Sequence, residues 1–335
     1  MSKVVLGFSG GVDSALSAEL LKEKGHELAL VYLYSGNDNE RSSALETASA
    51  MGFSLNCIDI TENLKQKVCK PFIESYLRGE TPNPCIMCNP SVKFKTLLDY
   101  AYADGAEYIA TGHYARAVNG AIFRNPSEND QSYMLCRLTR EQAAHLILPL
   151  GEYSKSEVRS LAAERGILSA NKPDSMEICF IPENDYSGWI EKNIGKDYLP
   201  QPGDFIFHGT VVGRHSGIHN YTVGQRKSGL IGDRKVYISG INSRDNTIEL
   251  SLWEELFKTE VTVRDFNWLI DEPSDEISAK VKVRHTKWEN PECTAVVRGE
   301  HVLITCREPV RAPAPGQSAV LYSAEGQLLG GGFIT

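Results

Sequence analysis

The first half of the chain alternates short apolar runs with segments of helical spacing. Apolar residues dominate the stretches 4–8, 27–34, 53–60 and 107–111, which we interpret as buried strands. Two intervening segments, 15–24 and 41–51, have apolar side chains at helical spacing, and each is followed by a glycine that can form the left-handed end of a helix. Strands that alternate with helices predict a parallel, doubly wound sheet.

The pattern changes near residue 196. Before it, Thr139 with Gln142 and Ser154 with Glu157 form capping boxes that predict helix starts. The Pro- and Gly-rich residues 199–203 are typical of a linker. Beyond this linker the chain is predicted to form mostly short strands separated by Gly or Asn turns, with no internal repeat. Examples are the runs 204–207, 236–241, 247–252, 279–283 and 319–322.

Charge limits the ways in which this chain can bind a polyanion. Its 335 residues include 43 acidic and 35 basic side chains, a net charge of -8, which excludes a scaffold that coats nucleic acid by charge alone. Local basic clusters do occur at 226–227, 234–235 and 280–287. On charge alone, the shared strand face of Lys280, Lys282 and Arg284 is as compatible with a solvated surface as with phosphate binding.

Hydropathy and cysteine content indicate the setting. No apolar run approaches the roughly 18 residues that a membrane span needs, so we expect a soluble, cytoplasmic protein without a membrane partner. The eight cysteines are too dilute for a disulfide scaffold and are expected to be mostly thiols, some of them reactive.

A glycine-rich loop from Gly7 to Ser14 follows the first predicted strand and opens the first predicted helix. Such a loop lets the backbone and the helix N-terminus approach an anion. A Walker loop would need a lysine after Gly11, and a dinucleotide site would need an acidic residue after Leu33 to Ser35. Ser-Gly-Gly-Val-Asp-Ser instead resembles the pyrophosphatase loop of enzymes that convert ATP to AMP and pyrophosphate, where Asp13 would lie near metal-bound pyrophosphate.

Two segments hold candidate reactive cysteines. Residues 81–89 form a proline-restricted loop before a helix expected from about Val92, where a helix N-terminus would stabilise a thiolate. Cys85 and Cys88 alone could be half of a zinc site, but no second Cys-x-x-Cys exists. Cys179 lies in an apolar stretch, where a buried and inert thiol is the simplest interpretation.

Several short motifs follow one another along the chain, from the first predicted strand to Gly330–Gly332. They are Ser9-Gly-Gly-Val-Asp-Ser14, Thr81-Pro-Asn-Pro84, Cys88-Asn89, Ala110-Thr-Gly-His-Tyr-Ala-Arg116, Asp130-Gln-Ser-Tyr133, Ile178-Cys-Phe-Ile181, Tyr221-Thr-Val-Gly-Gln-Arg226 and Pro315-Gly-Gln317. Together they resemble the tRNA-specific 2-thiouridylases of the MnmA type.

The resemblance implies an α/β fold with three domains. The catalytic domain, residues 1–195, would contain the doubly wound parallel sheet of a PP-loop ATP-pyrophosphatase, which is adenine nucleotide alpha hydrolase-like. A small β-rich central domain at 196–257 and a C-terminal β-barrel at 258–335 would follow. The last two domains would help to hold tRNA.

The resemblance also implies a reaction. ATP, bound with Mg²⁺, would adenylate the 2-carbonyl oxygen of the wobble uridine in tRNA, and an enzyme persulfide would then deliver sulfur and expel AMP. By motif position Cys88 is the nucleophile, and Cys179 carries a persulfide that a donor or relay protein supplies. Two thiols suit this chemistry, because one can liberate sulfur from the other by forming a disulfide.

Contacts follow from the same motifs, residue by residue. The resemblance implies ATP contacts from Gly7, Phe8, Ser9, Gly10, Gly11, Val12, Asp13, Ser14, Leu33 and Gly112. It implies tRNA contacts from Asn83, Pro84 and Cys85 at the target base, and from His113, Asn129, Asp130, Gln131, Arg284, His285 and Gln317 elsewhere. Outside its motif, His113 would be taken for a satisfied core histidine. The chain departs from many members at Cys85, where they have Asp, at Asn129, where they have Lys, and at Met176-Glu177, where they have Thr-Gly.

Three alternatives stay open at this point. Cys85, Cys88 and Cys179 could hold an iron-sulfur cluster with one open iron that binds sulfide. The same ATP loop could serve an amide-forming synthetase or ligase that acts on a small substrate and does not depend on Cys88. The chain could also be an RNA-binding module with a degenerate nucleotide site.

Overall fold

A parallel sheet organises the first half of the chain. The computed structural model describes residues 2–172, 178–181, 185–284 and 290–335. The sheet contains β1 (Lys3–Gly7), β2 (Glu27–Tyr34), β3 (Leu55–Asp59), β4 (Tyr108–Ala110) and β7 (Leu146–Ile147), in the order β3-β2-β1-β4-β7. Every adjacent pair is parallel. The order reverses between β1 and β4, the position at which doubly wound sheets bind ligands.

Helices and a small hairpin connect or follow the strands of this sheet along the chain. The hairpin is β5 (Ala115–Val118) with β6 (Ala121–Arg124). The helices are α1 (Val12–Glu23), α2 (Asp38–Ala50), α3 (Thr61–Leu64), α4 (Lys70–Leu77), α5 (Pro84–Cys88), α6 (Phe94–Asp104), α7 (Arg140–Ala144), α8 (Lys155–Glu164) and α9 (Tyr186–Ile194). Leu6 of β1, Leu16 of α1 and Val158 of α8 are fully buried in one core cluster. Both predicted capping boxes are present, and they begin α7 and α8.

Most elements begin or end within a few residues of their predicted limits. α2 starts at Asp38, earlier than predicted, because the Asn37 side chain accepts hydrogen bonds from the N–H groups of Asn39 and Glu40. The helix expected from about Val92 is present as α6, which begins at Phe94, but the loop expected at 81–89 is partly helical. Within that stretch the chain forms α5, and a π-helical turn at Asn89–Lys93 joins α5 to α6. Proline at the first position of α5 fits there, because that position needs no N–H donor.

The second half forms two β structures. The central sheet contains β8 (Gly203–Phe207), β9 (Thr210–His215), β10 (Arg226–Ile231), β11 (Arg234–Asn242) and β12 (Thr247–Ser251), in the order β10-β11-β12-β8-β9. The last six strands are β13 (Phe257–Trp268), β14 (Ile277–Lys282), β15 (Glu292–Arg298), β16 (His301–Arg311), β17 (Ser318–Tyr322) and β18 (Leu328–Ile334). They close into a barrel, because β13 pairs with both β16 and β18. The predicted fold class is therefore confirmed.

The residues group into two units. The first unit contains Met1–Val68, Cys85–Met176 and Glu325–Leu328; the second contains Cys69–Pro84, Glu177–Ala324 and Leu329–Thr335. Residues 69–84, which lead to the helix that contains Cys85 and Cys88, thus belong to the β-rich second unit, although they lie in the first half of the sequence. The two predicted domain boundaries stay a prediction. Across the described ranges, no helix has the length and apolar character that would let it cross a membrane.

The barrel interior generates a prediction about thiol reactivity. Cys293 and Cys306 face each other in the register of β15 and β16, and each is at most 5% exposed. Burial raises the pKa of Cys293 to about 12 and that of Cys306 to about 11. Because the thiolate is the reactive form, both should resist iodoacetamide at mildly alkaline pH, whereas the exposed Cys57 should react. Peptide mass spectrometry measures the three rates, and equal labelling of Cys293 and Cys57 would contradict the barrel core.

Candidate functional site

The phosphate loop is shaped by a close backbone approach. Gly10 has a φ of +76°, and a Cβ at this position would lie 2.6 Å from Ala44 Cα of α2, so only glycine fits. The Ser14 hydroxyl donates to the Gly11 carbonyl at 3.0 Å and accepts from the Ser9 N–H at 3.2 Å, which closes the loop. Gly11 precedes α1 and has no side chain to cap it. The helix start is therefore suited to an external anion.

Phe8 and Val12, two of the predicted ATP contacts, have buried side chains, so only their main-chain atoms face the loop. The side chains of Phe8 and Val12 are at most 4% exposed and belong to the core beneath the sheet. The Phe8 N–H donates to the Val31 carbonyl of β2 at 2.8 Å. These residues anchor the loop to the sheet, and their side chains are buried away from a nucleotide.

Asp13 is the centre of a charged cluster at the start of α1. Lys155 Nζ lies 2.8 Å from both Asp13 carboxylate oxygens, and the Tyr114 hydroxyl donates to Oδ1 at 2.6 Å. Lys155 Nζ also lies 5.6 Å from the centre of the Tyr114 ring. Asp13 and Lys155 are only 32% and 18% exposed, so water screens this pair less than it screens a surface pair. The cluster provides a fixed cation beside the phosphate loop.

Sequence reasoning missed Lys155. Its local signal was present, because the capping box of Ser154 and Glu157 fixes Lys155 as the first residue of α8. The sequence does not show that the start of α8 lies beside the phosphate loop, because Lys155 and Asp13 are 142 residues apart and meet only in the tertiary structure.

The ends of three adjacent strands meet at this edge of the sheet. Gly7 ends β1, Leu33 is the penultimate residue of β2, and Gly112 follows β4. A Cβ at Gly112 would lie 3.0 Å from Asp13 Cβ, so glycine permits α1 and the end of β4 to approach each other. The structure therefore brings the predicted ATP contacts together at the switch point of the sheet.

His113 is adjacent to this edge and is electrically neutral near physiological pH. Its Nδ1 is 2.8 Å from the Thr111 hydroxyl, and its ring lies 5.6 Å from that of Phe94. Burial, helped by the charge of Lys93, lowers the pKa of His113 well below its ordinary value. Any RNA contact that it makes would be a hydrogen bond or a stacking contact, not an ion pair.

Asp130, a predicted tRNA contact, has its side chain engaged within the fold. It is 4% exposed, and Oδ1 accepts from the N–H groups of Asn125 and Ser132, each at 3.1 Å. Oδ2 accepts from Arg124 Nε at 3.2 Å. These bonds fix the loop, while a direct tRNA contact from Asp130 stays a prediction.

Gln131 and Asn129, the sequence neighbours of Asp130, bind the backbones of Tyr114 and Lys155, the two residues that contact Asp13. Gln131 accepts from the Tyr114 N–H at 3.0 Å and donates its own N–H to the Tyr114 carbonyl at 2.7 Å. Asn129 Oδ1 accepts from the Lys155 N–H at 3.3 Å. The segment predicted to meet tRNA and the charged cluster at the ATP loop are thus hydrogen-bonded neighbours.

Cys85 and Cys88 differ in environment. Cys85 is exposed in the first turn of α5, and Cys88 is half-buried at the end of that helix. Burial raises the pKa of Cys88, against a smaller lowering by the charge and backbone N–H of Lys93. The expectation of a thiolate stabilised by a helix N-terminus is therefore wrong for Cys88, because desolvation outweighs the favourable charges.

Cys179 is exposed at a short turn in the second unit. The Ile181 N–H donates to the Ile178 carbonyl at 2.8 Å. The Phe180 ring packs 5.6 Å from Phe72 and 5.1 Å from Trp189. The apolar neighbours anchor the turn and leave the thiol accessible, so the interpretation of a buried, inert cysteine is wrong. Met176 and Glu177 lie outside the described residues.

The other predicted tRNA contacts lie in the second unit or at its boundary. Arg284 donates to the Val223 carbonyl and lines a cavity of about 340 Å³ with Lys282 and Arg311. Lys282 is only 7% exposed, so it does not belong to a solvated strand face. Asn83 is half-buried and Pro84 is buried. His285 lies outside the described residues.

No dedicated metal site emerges from the part of the chain that the structure describes, in which no three His, Cys, Asp or Glu side chains are grouped to hold an ion. The iron-sulfur alternative stays a question for iron analysis.

Family profiles match nearly the whole chain. The profile described as "tRNA methyl transferase HUP domain" matches residues 2–183. The profiles "tRNA methyl transferase PRC-barrel domain" and "Aminomethyltransferase beta-barrel domain" match residues 191–251 and 258–334. Their order agrees with the parallel sheet, the central sheet and the barrel.

Curated relatives carry a different activity in their names. The tRNA-specific 2-thiouridylase MnmA 1 of Caldanaerobacter subterraneus is 39% identical over 362 residues, which covers 99% of this chain and 98% of that protein. The tRNA-specific 2-thiouridylase MnmA of Lachnoclostridium phytofermentans is 38% identical, with coverage of 100% and 99%. That of Clostridioides difficile is 37% identical, with coverage of 99% and 98%.

The charged cluster predicts a strong effect of Lys155→Met. The substitution removes the cation beside Asp13 and the phosphate loop, so we expect pyrophosphate release from ATP to fall by about 100-fold. Lys95→Met, which breaks an exposed pair with Asp99 on α6, is the matched control. Unchanged pyrophosphate release by a folded Lys155→Met protein would remove Lys155 from the site.

His113 predicts a pH dependence of stability. Its pKa lies below the ordinary 6.5 in the folded protein, so below that pH the unfolded chain binds a proton that the folded chain refuses. The stability that neutral His113 contributes is present above pH 6.5 and is lost as pH falls, by up to about 1.4 kcal/mol per pH unit. Urea unfolding of wild type and His113→Asn across this range measures it. A pH-independent difference would contradict the lowered pKa.

Proposed function

This chain belongs to the family of tRNA-specific 2-thiouridylases, and we propose that it uses ATP to replace the 2-carbonyl oxygen of the wobble uridine in tRNA with sulfur. The observation that carries the proposal is the match at 37–39% identity, over nearly its full length, to relatives that bear this activity in their names. The phosphate loop and the two differently placed cysteines supply the residue types that such a reaction needs.

The first step activates a poor leaving group. The uridine carbonyl oxygen attacks the α-phosphorus of ATP, an O–P bond forms, and pyrophosphate leaves. The start of α1 and Lys155 are placed to bind the phosphates. Mg²⁺ ordinarily binds through one or two carboxylates together with phosphate oxygens, and the hard oxygen donors of Asp13 fit that requirement. When bound, the ion would offset phosphate charge.

The second step transfers sulfur. The terminal sulfur of a Cys179 persulfide attacks C2 of the adenylated uridine, and the C2–O bond breaks to release AMP. Cys88 then attacks Sγ of Cys179, the S–S bond breaks with its electrons on the sulfur that stays on the base, and a Cys88–Cys179 disulfide remains. A thiol reductant must restore both cysteines, and a donor protein must reload Cys179.

The environments of the two thiols support these roles. Cys179 is exposed and can be reached by a sulfur donor. Cys88 is protected at rest, because burial raises its pKa, so its proton must leave when it attacks. Lys93, which lowers that pKa, would stabilise the anion as it forms.

Recognition of tRNA is proposed to depend on shape and local cations. Among the described residues that line the cavity, the cations of Lys282, Arg284 and Arg311 outnumber the carboxylate of Glu308, so this lining is net basic although the whole chain is acidic. Phosphate contacts of this kind position an RNA without reading its sequence.

We also propose domain boundaries at residues 195 and 257. The reaction is proposed to take place in the cytoplasm, where tRNA and thiol reductants are found.

Two other activities share parts of this site. The family profiles mention methyl transfer, and the same loop also suits amide-forming enzymes. Neither explains the pairing of a protected Cys88 with an exposed Cys179. High-resolution mass analysis of tRNA nucleosides separates them, since replacing oxygen by sulfur and adding a methyl group change the mass differently, and an amide-forming enzyme leaves tRNA unmodified.

The decisive variants are Cys88→Ser and Cys179→Ser. With ATP, Mg²⁺ and a persulfide donor, wild type should form 2-thiouridine at the wobble position. Each variant should form less by a factor of at least about 100, because the transferred sulfur needs both thiols. Pyrophosphate release in the first turnover should persist, since adenylation precedes sulfur transfer.

Cys57→Ser is the matched control, because Cys57 is exposed on β3 and has no proposed role. Normal thiolation by Cys179→Ser would contradict the persulfide assignment. Iron analysis of anaerobically purified wild type decides the cluster alternative: iron-free, active protein supports the persulfide, and stoichiometric iron required for activity contradicts it.

A further inference from the structure

The loop that leads to the first cysteine is held by the C-terminal barrel. Within the second unit, the Thr81 N–H donates to the Pro315 carbonyl at 2.7 Å, and the Thr81 carbonyl accepts from Gln317 Nε2 at 2.9 Å. Both backbone groups of one residue are thus bonded to a single turn before β17. Thr81 is 7% exposed, so water competes little for these bonds.

Glu80 adds an ionic contact to the same place. Its Oε1 lies 3.2 Å from Arg264 Nη2 of β13, and its Oε2 lies 2.9 Å from Arg78 Nη2. The Glu80 side chain is only 21% exposed. The pair with Arg264 of the barrel therefore adds a second restraint on the loop beside the Thr81 bonds.

Gly316 permits the close approach. Its φ is +86°, and a Cβ there would lie 2.8 Å from Glu80 Cβ and 3.0 Å from the Thr81 nitrogen. The turn itself is braced by backbone bonds, from Gln317 N–H to the Ala314 carbonyl at 3.0 Å and from Ile334 N–H to the Gln317 carbonyl at 2.8 Å. The turn is therefore held by its own backbone bonds, and it does not depend on the hydrogen bond that the Gln317 side chain donates to Thr81.

The restrained residue, Thr81, is connected by a short stretch of chain to the helix that contains Cys85 and Cys88. Thr81 is followed by Pro82, Asn83 and Pro84, and α5 begins at Pro84. The two prolines remove backbone freedom between the bonded residue and the helix. Displacement of Thr81 is therefore passed to the segment proposed to meet the target uridine instead of being absorbed by a flexible linker.

From this geometry we infer that Gln317 is a positioning residue for sulfur transfer: it holds Thr81, and through it the Asn83 to Cys85 segment. The inference rests on the proposed function for its kinetic consequence only. The contact between Gln317 and Thr81 has a consequence for loop dynamics that is independent of any activity.

Gln317→Met tests it, because methionine keeps the length of the side chain and removes the N–H donor, while the bracing backbone bonds remain. We expect the single-turnover rate of 2-thiouridine formation to fall by about 10-fold or more at saturating tRNA and ATP, where any change in tRNA affinity no longer affects the rate. Gln317→Glu places an acceptor against the Thr81 carbonyl and should lower that rate further. Gln66→Met is the matched control, because Gln66 bonds only an exposed helix neighbour among the contacts described.

A second readout does not depend on activity. Amide hydrogen exchange of Thr81 should accelerate in Gln317→Met and stay unchanged in Gln66→Met. Weaker tRNA binding with an unchanged rate at saturation would overturn the inference and make Gln317 a direct tRNA contact. If wild type forms no 2-thiouridine, the proposed function fails, and exchange at Thr81 alone then decides: unchanged exchange in Gln317→Met overturns the positioning role. Should Gln317→Met not fold, Gln317→Asn, whose amide is too short to reach, replaces it in both measurements.

Discussion

The structure depends on how one carboxylate is accommodated beside an anion-binding loop. Asp13 places negative charge at the helix start that must receive phosphates, and at close range such charges repel strongly in a partly desolvated site. Lys155 offsets this by contacting both carboxylate oxygens at 2.8 Å, and Tyr114 fixes one of them. The surrounding elements serve this arrangement: the capping box begins α8 at Lys155, Asn129 bonds the Lys155 backbone, and Gln131 bonds Tyr114.

A similar balance of burial against charge separates the two cysteines. In the proposed reaction, the exposure of Cys179 would admit a sulfur donor, and the raised pKa of the buried Cys88 would keep that thiol protonated until an electrophilic sulfur is present. A chain with two permanently ionised thiols would be prone to early oxidation, which would stop the reaction before uridine is activated. The difference in solvation would therefore determine the order in which the proposed reaction uses the two thiols.

Local patterns fixed much of the fold in advance. The strand predicted at 27–34 is β2, and both capping boxes begin helices, because these signals depend on neighbours in sequence. The helix α5 and the π-helical turn after it were missed, since a short helix beside prolines and a π-helical turn have no strong local signature. The environments of Cys88 and Cys179 could not be predicted either, because desolvation depends on residues far away along the chain. Motif resemblance named Gln317 as functional, but only the barrel shows its contact with Thr81.

In the proposed reaction, ATP bound at the phosphate loop activates the carbonyl oxygen of a uridine. The most direct test uses a tRNA whose target uridine carries heavy oxygen at the C2 carbonyl, with ATP and a persulfide donor. If that oxygen attacks the α-phosphorus and leaves with AMP, mass spectrometry will find the label in AMP, in an amount equal to the 2-thiouridine formed. Unlabelled AMP, with the label retained in tRNA or released as water, would contradict the account.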